Sequence, residues 1–291
     1  MAEPRPRRSL LFMPGANARA MEKARGLKAD GLIFDLEDSV APDAKAAART
    51  QIAAALAQGG YGQRERILRV NGVGTPWHDD DLRFAATLPV DGVLLPKVEG
   101  AEDVRGSAAA LVVAGAPAGL SLWCMMETPR AFLHAEAIAA ASERLAGFIV
   151  GTEDLAKDLG ARPRPDRLPF LTSLGIAILA ARACGLAVLD AVYRDFNDDD
   201  GFAAQCRQGR DLGFDGKTLI HPRQIPIANA AFAPDAGELD EARRMIAAFD
   251  AALAAGKGLA TLDGKMIERL HVDAARRLLA LAARIAELDA D

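Results

Sequence analysis

Several short apolar runs in this chain stop on side chains able to do chemistry. The run from Gly31 is followed by Asp35, Glu37 and Asp38, and the run from Arg66 carries Arg69 and Asn71 at its end. Later runs end on Lys97, on Glu127, on the Glu153-Asp154 pair and on His221. Carboxylates brought together from different segments repel unless they hold protons or share a cation. Oxygen donors with no companion cluster of His or Cys favour a hard ion, and Mg²⁺ takes one or two carboxylates, with water and substrate completing its sphere. Glu127 and Asp154, ending consecutive runs, are the natural ligand pair. The plainer reading of any one of these acids is a helix cap or a loop ion pair.

Whether these groups meet depends on the elements that carry them. Eight runs recur: SLLFM from Ser9, GLIFDL from Gly31, RILRVN from Arg66, GVLLPK from Gly92, SLWCMM from Ser121, AGFIVG from Ala146, AVLDAVY from Ala187 and KTLIHP from Lys217. Near-continuous apolarity marks strands covered on both faces, as parallel strands are. Helical stretches lie between them: Ala18 to Leu27, Asp43 to Ala57, His78 to Ala86, Ala101 to Ala114, Arg130 to Ser142, Pro169 to Cys184 and Gly201 to Leu212. Repeated strand–helix alternation predicts an α/β chain with a closed (β/α)8 barrel over residues 1–232, more readily than an open doubly wound sheet. In such a barrel the carboxyl ends of the strands form one mouth, where all the groups above would gather. After His221 the pattern changes. A charged amphipathic helix spans Ala236 to Ala254, a short polar-apolar piece runs from Thr261 to Glu268, and a last helix with an apolar stripe begins near Leu270. Residues 233–291 are expected to form a C-terminal helical extension, either a lid or a cap on a neighbouring subunit.

A length of 291 residues suits one barrel. With 35 basic against 40 acidic residues the net charge is −5, which lacks the basic footprint of a nucleic-acid surface. Cys124, Cys184 and Cys206 are far apart and odd in number, so neither a disulfide framework nor a thiolate zinc site is expected, and a cytoplasmic location fits. The basic start meets Pro14-Gly15 before any leader-length apolar stretch develops, and Arg182 and Gly185 interrupt the longest apolar one, so no membrane segment is expected. Neither a GxSxG elbow, a Walker loop nor an HExxH pair occurs. His78 and His134 read as packing or surface residues, Cys124 and Met125 as core, and Asp43 as a helix cap. The DFNDDDG run from Asp195 has its glycine misplaced for a calcium loop and reads as a capped helix start.

The segments RSLLFMPGANARAMEKA, GLIFDLEDSV, RVNGVGTPW, GVLLPKVEG, MMETPRAFLHAEAIA, GTEDLAKDLG, GFDGKTLIHPRQI and LDGKMIE, in this order, resemble the citrate lyase beta-chain family of the HpcH/HpaI aldolase/citrate lyase superfamily. That family includes malyl-CoA and citramalyl-CoA lyases, and the likeness runs from about Arg8 to about Arg276. It implies a (β/α)8 barrel, a homo-oligomer (a trimer or dimer of trimers), and Mg²⁺, with Mn²⁺ as a substitute. It matches the metal-binding acids to Glu127 and Asp154, the arginine of an RVN motif to Arg69, and an acidic pair to Glu37 and Asp38. Coenzyme A would lie near the first βα loop, at Asn17, Arg19 and Lys23. One departure stands out: the family's GKMID tail motif, whose aspartate serves as acid/base in a neighbouring subunit's mouth, here reads GKMIE and places Glu268 there.

The activity implied is Mg²⁺-dependent cleavage of a 3-hydroxy-3-carboxyacyl-CoA, such as malyl-, methylmalyl- or citramalyl-CoA, to acetyl- or propionyl-CoA and a 2-oxo acid. Arg69 would stabilise the enolate oxygen, Glu268 would supply its proton, and Glu37 and Asp38 would orient Arg69. Backbone N–H groups near Glu153 and Asp154 would hold the carboxylate of the oxo acid. Three alternatives stand beside this one: a malyl-CoA thioesterase, a citrate lyase beta subunit acting on a carrier-protein thioester, and a non-catalytic CoA-binding subunit whose site has decayed at Glu268.

Overall fold

The structure, a computed structural model, describes residues 4–290. Each of the eight apolar runs is a strand: β1 Ser9–Pro14, β2 Gly31–Asp35, β3 Glu65–Arg69, β4 Gly92–Leu95, β5 Ser121–Met126, β6 Leu145–Val150, β7 Ala187–Asp190 and β8 Gly216–Leu219. They pair in parallel and in chain order, and β8 returns to β1 through Leu10↔Thr218, closing the barrel expected from the sequence. Helices α1 Ala18–Ala24, α2 Lys45–Gln58, α3 His78–Ala85, α4 Ala101–Val113, α5 Pro129–Leu133, α6 Ala135–Ala139, α7 Thr152–Leu159, α8 Leu171–Ala183, α9 Asp199–Leu212 and α10 Gln224–Phe232 connect or follow the strands.

Successive strand residues point to opposite faces, which sorts the core into two. Leu10, Ile33, Ile67, Leu94, Trp123, Met125, Ile149 and Leu189 fill the barrel interior. The outward set, including Met13, Phe34, Leu68, Val93, Cys124, Phe148 and Val188, packs beneath the helices. The interior is crowded around Trp123. A Cβ on Gly147 would lie 2.5 Å from its ring and 2.7 Å from the Ala187 carbonyl, so β6 passes the indole only because that residue has no side chain. Arg7, paired with Glu65 at 2.6 Å, stacks its guanidinium 4.9 Å from the Trp123 ring. Outside the barrel Asp190 accepts from both Arg167 (2.6 Å) and Lys217 (2.8 Å), a buried cluster whose charges offset one another.

Local details differ from the sequence expectation in four places. The stretch from Arg130 breaks into α5 and α6 at His134, whose ring bonds to the Glu99 carbonyl at 2.9 Å. Helices α7 and α10 were not anticipated. Asp43 lies inside a short 3-10 turn, Pro42–Ala44, and α2 starts without a side-chain cap. Asp198 does cap α9, accepting from the Gly201 N–H at 2.9 Å, as the reading of the DFNDDDG run requires. No helix among the described residues is long and apolar enough to cross a membrane.

The chain divides into two compact units, with the break between Phe232 and Ala233; residues 4–6 group with the C-terminal unit and not with the barrel. That unit consists of α11 Ala236–Ala254, a hairpin of β9 Ala260–Leu262 and β10 Lys265–Ile267, and α12 Arg269–Ala290. It has its own small core of Phe249, Ala260, Ile267 and Val272. Asp235 and Glu238 form a capping box at the start of α11.

Candidate active site

Strand parity delivers the functional groups. Ile33, Ile67 and Met125 face the barrel interior, so the residues two places further on, Asp35, Arg69 and Glu127, face the same way at the carboxyl ends of their strands. There they line a cavity of about 410 Å³ together with Phe12, Asp38, Ser39, Thr152, Glu153, Asp154, Val192, Thr218 and Ile220. Its acidic lining residues are Asp35, Asp38, Glu127, Glu153 and Asp154, and its cation is Arg69.

Register explains the central ion pair. Asp35 and Arg69 are direct partners across β2 and β3, and Asp35 accepts from Arg69 Nε and Nη2, both at 2.6 Å. The N–H groups of Glu37 (2.8 Å) and Ser39 (3.2 Å) also donate to Asp35. Burial works against the Asp35 anion, but Arg69 and these bonds together hold its pKa below the ordinary value. The Arg69 guanidinium stacks 4.8 Å from the Phe12 ring and lies 3.0 Å from a Glu37 oxygen. Despite burial, these carboxylates keep it firmly protonated.

The sequence reading gave both Glu37 and Asp38 the task of orienting Arg69. The structure assigns most of that task to Asp35, with Glu37 as a second partner. Asp38 instead pairs with Lys97 at 3.3 Å, and Lys97 also bonds Glu37. Lys45 donates to the Leu36 and Glu37 carbonyls at 2.9 and 3.1 Å, which fixes the loop that presents these acids.

Glu127 is 2% exposed, and its Oε1 accepts from the Lys97 N–H at 2.7 Å. Burial pushes its pKa up to about 7. The Lys97 N–H and Arg69 oppose that rise, and the charges of Asp154 and Glu37 add to it. Room for the carboxylate comes from Gly151, where a Cβ would stand 2.6 Å from Glu127 Oε2. Asp154 is half-buried in the first turn of α7, on the wall of the same cavity. Glu153, beside it, pairs with Arg194 at 3.0 Å.

Other residues singled out in the sequence lie elsewhere. Asn17 caps α1, its Oδ1 accepting from the Ala20 N–H at 3.0 Å, while Arg19 and Lys23 are exposed one turn apart on that helix. Asn71 is committed to Asp81, donating through Nδ2 at 2.6 Å. His221 stacks on Phe196, with centroids 4.8 Å apart, and does not line the cavity. His78 is buried against the Asn71 carbonyl at 2.8 Å, a packing role. Glu268 belongs to the C-terminal unit, where it is exposed and sits just before α12, its N–H bonded to His271 Nδ1 at 3.0 Å. Sequence reasoning missed the apolar walls Phe12, Val150, Val192 and Ile220; inward parity at the strand ends could have found Phe12 and Ile220, while Val150 and Val192 fall on the opposite parity.

Among the described residues no three His, Cys, Asp or Glu side chains gather as a complete metal cage. Two carboxyls on one cavity wall instead suit an ion that keeps positions open for water and ligand. A closed parallel barrel with a buried carboxyl of raised pKa at its mouth defines a (β/α)8 protein built for work at that end. The chain belongs to the HpcH/HpaI aldolase/citrate lyase family, whose model matches residues 8–222. It is 52% identical over 281 residues to a (3S)-malyl-CoA thioesterase of Cereibacter sphaeroides (strain KD131), covering 97% of this chain and 96% of that one. It is 38% identical over 283 residues to citrate lyase subunit beta of Escherichia coli (strain K12), covering 96% and 94%. Its structure is similar to that of CitE from Mycobacterium tuberculosis in complex with magnesium, acetoacetate and coenzyme A, with a TM-score of 0.76 and 30% identity over 97% of this chain and 99% of that one.

Proposed function

We propose that this chain hydrolyses the thioester of a short 3-hydroxy-3-carboxyacyl-CoA, (3S)-malyl-CoA first among them, with Mg²⁺ or Mn²⁺ held by Glu127 and Asp154. The observation that carries this reading is the 52% identity to a malyl-CoA thioesterase over nearly the full length of both chains, against 38% for citrate lyase subunit beta. It moves thioester hydrolysis ahead of carbon–carbon cleavage, which the motifs alone had placed first.

The donor set supports the ion. Glu127 is buried with a neighbouring carboxylate adding to its cost of ionisation, a situation that a divalent cation relieves. Such an ion, when bound, supplies Lewis acidity and a template for the acyl group's hydroxyl and carboxylate. The chain's own residues do the rest. Arg69, held by Asp35 through Nε and Nη2 and by Glu37 and Met125 through Nη1, keeps the second Nη2 hydrogen to receive the thioester oxygen as negative charge builds there. The first-turn N–H groups of α7, which have no partners within the helix, face the distal carboxylate. Phe12, Met125 and Val192 line the cavity with apolar surface that excludes bulk water. Arg19 and Lys23 meet the phosphates of coenzyme A. Glu268 from a neighbouring copy is the acid–base carboxyl that takes a proton from water as its oxygen bonds to the carbonyl carbon, and returns that proton to the CoA sulfur as the carbon–sulfur bond breaks.

Cleavage between carbons 2 and 3 is the second reading, favoured by the likeness to citrate lyase subunit beta. The same Arg69 would then stabilise an enolate, and the same Glu268 would give a proton to carbon instead of taking one from water. Incubating the full chain with (3S)-malyl-CoA and Mg²⁺ separates the two. Malate and free CoA in equal amounts are expected. Glyoxylate and acetyl-CoA would assign cleavage, and tight binding without either product would assign a non-catalytic subunit.

A further inference from the structure

Among the described residues Lys97, Arg167 and Asp263 are the non-glycine positions with left-handed backbone, and Lys97 is the one bonded to Glu127. Lys97, just past β4, has φ +51, a left-handed conformation that side-chain-bearing residues adopt rarely and at a cost in free energy. A lysine there gains nothing from residue type, since glycine would take that conformation freely. Its contacts show what the conformation achieves. The Lys97 N–H donates to Glu127 Oε1 at 2.7 Å, occupying one carboxylate oxygen, while its side chain reaches across to β2's end. There the ammonium bonds Glu37 and lies 3.3 Å from Asp38. Lys97 and these two acids also line a second cavity, of about 430 Å³, which shares Asp38 with the first. Lys97 therefore lines the second cavity while its N–H holds Glu127, which lines the first.

We propose that Lys97 is a positioning residue: its backbone presents Glu127 to the divalent cation, and its ammonium neutralises the Glu37–Asp38 pair, limiting how strongly the acidic mouth draws that cation. The inference rests on the proposed metal-assisted reading of the site. Two consequences follow from the geometry. Loss of the ammonium leaves Asp38 without its cation and Glu37 with Arg69 alone, so the mouth gains net negative charge close to Glu127. Divalent cations then bind more tightly, while an anionic acyl-CoA is repelled. Glu37 is also freed to pull on Arg69, which degrades placement of the guanidinium against the thioester oxygen.

The test is titration of the full chain with Mn²⁺ alone, with free ion followed by electron paramagnetic resonance, for wild type, Lys97→Met and Lys97→Arg. Lys97→Met retains the N–H and the aliphatic stem, so Glu127 stays clamped; Lys97→Gln serves if the methionine variant does not fold. Removal of one charge at this range should tighten Mn²⁺ binding on the order of fivefold. Lys97→Arg should restore wild-type affinity, and the Michaelis constant for malyl-CoA should rise in Lys97→Met alone. Wild-type and Lys97→Met chains that bind Mn²⁺ equally would overturn this proposal and leave the metal reading standing, as would weaker binding by Lys97→Met. A wild-type chain that binds no Mn²⁺ would overturn the metal reading and this proposal with it.

Discussion

In the proposed function Glu127 holds the cation, because burial and two neighbouring acids oppose its ionisation more than the Lys97 N–H and Arg69 favour it. Replacing Glu127 by Gln, or Asp154 by Ala, should cut metal-dependent turnover by more than the 10–100-fold typical of losing an outer partner of a metal ligand, roughly speaking. Steady-state rates across a Mg²⁺ series check this, with circular dichroism to confirm the fold. The raised pKa also has a sign. A carboxyl whose folded-state pKa is near 7, against an ordinary 4.5, contributes stability that is complete below about 4.5 and lost as pH rises through 7. The thermal midpoint of the metal-free chain should therefore carry a decline across that window that Glu127→Gln removes. Mg²⁺ should raise the midpoint above the window and lose that effect below it, where protons hold the carboxyl. Scanning calorimetry at pH steps measures both. Glu127 and Asp154 were legible in the sequence because each follows a strand-length apolar run. The Asp35–Arg69 pair was not, because it depends on which residues of β2 and β3 fall opposite each other. Lys97 was legible as a strand-end cation but its hold on Glu127 was not, since nothing in a lysine's chemistry announces a left-handed backbone.

Elements place these groups through close approaches that only glycine permits, and two of them separate stability from function. At Gly147 an added methyl meets the Trp123 ring and the β7 backbone, so Gly147→Ala should destabilise the barrel by about 1–3 kcal/mol, the usual cost of overpacking, as read from urea unfolding. At Gly151 the methyl meets Glu127 itself, 2.7 Å from its Cβ. Gly151→Ala, whose backbone at φ −114 suits alanine, should displace Glu127 and lose most of its Mn²⁺ binding, whereas Gly147→Ala, whose methyl is remote from the carboxylates, should keep Mn²⁺ binding while folded. The eight strands were legible because burial on both faces makes a continuous apolar signature. Helices were read less well. The eight residues of α7, TEDLAKDL, are too short and polar to show a clear period. In α10, Pro226 looks like a breaker, but it stands in the first turn, where its missing N–H forfeits no intrahelical bond. His134 splits an otherwise continuous helix through a bond to a distant carbonyl that local sequence does not encode.

At the scale of the whole molecule, each unit has a core of its own. A chain ended after Phe232 should therefore still unfold cooperatively in urea, but it should lose turnover through the loss of Glu268. Glu268→Ala in the full chain should lower turnover more than substrate affinity, and the pair of variants distinguishes loss of one carboxyl from loss of the unit. The C-terminal helices were readable from their amphipathic stripes, whereas the hairpin between them was not, because each of its strands is only three residues long. The mild net charge of −5 tells little about a mouth where acids outnumber cations, since that imbalance arises from the fold. The most direct measurement is anomalous diffraction from crystals soaked in Mn²⁺ at a concentration that supports turnover. A single strong peak is expected at the barrel mouth, within about 2.2 Å of oxygens from both Glu127 and Asp154, close to the range of Mg²⁺–oxygen bonds. A peak elsewhere, or none in crystals of active protein, would contradict that expectation.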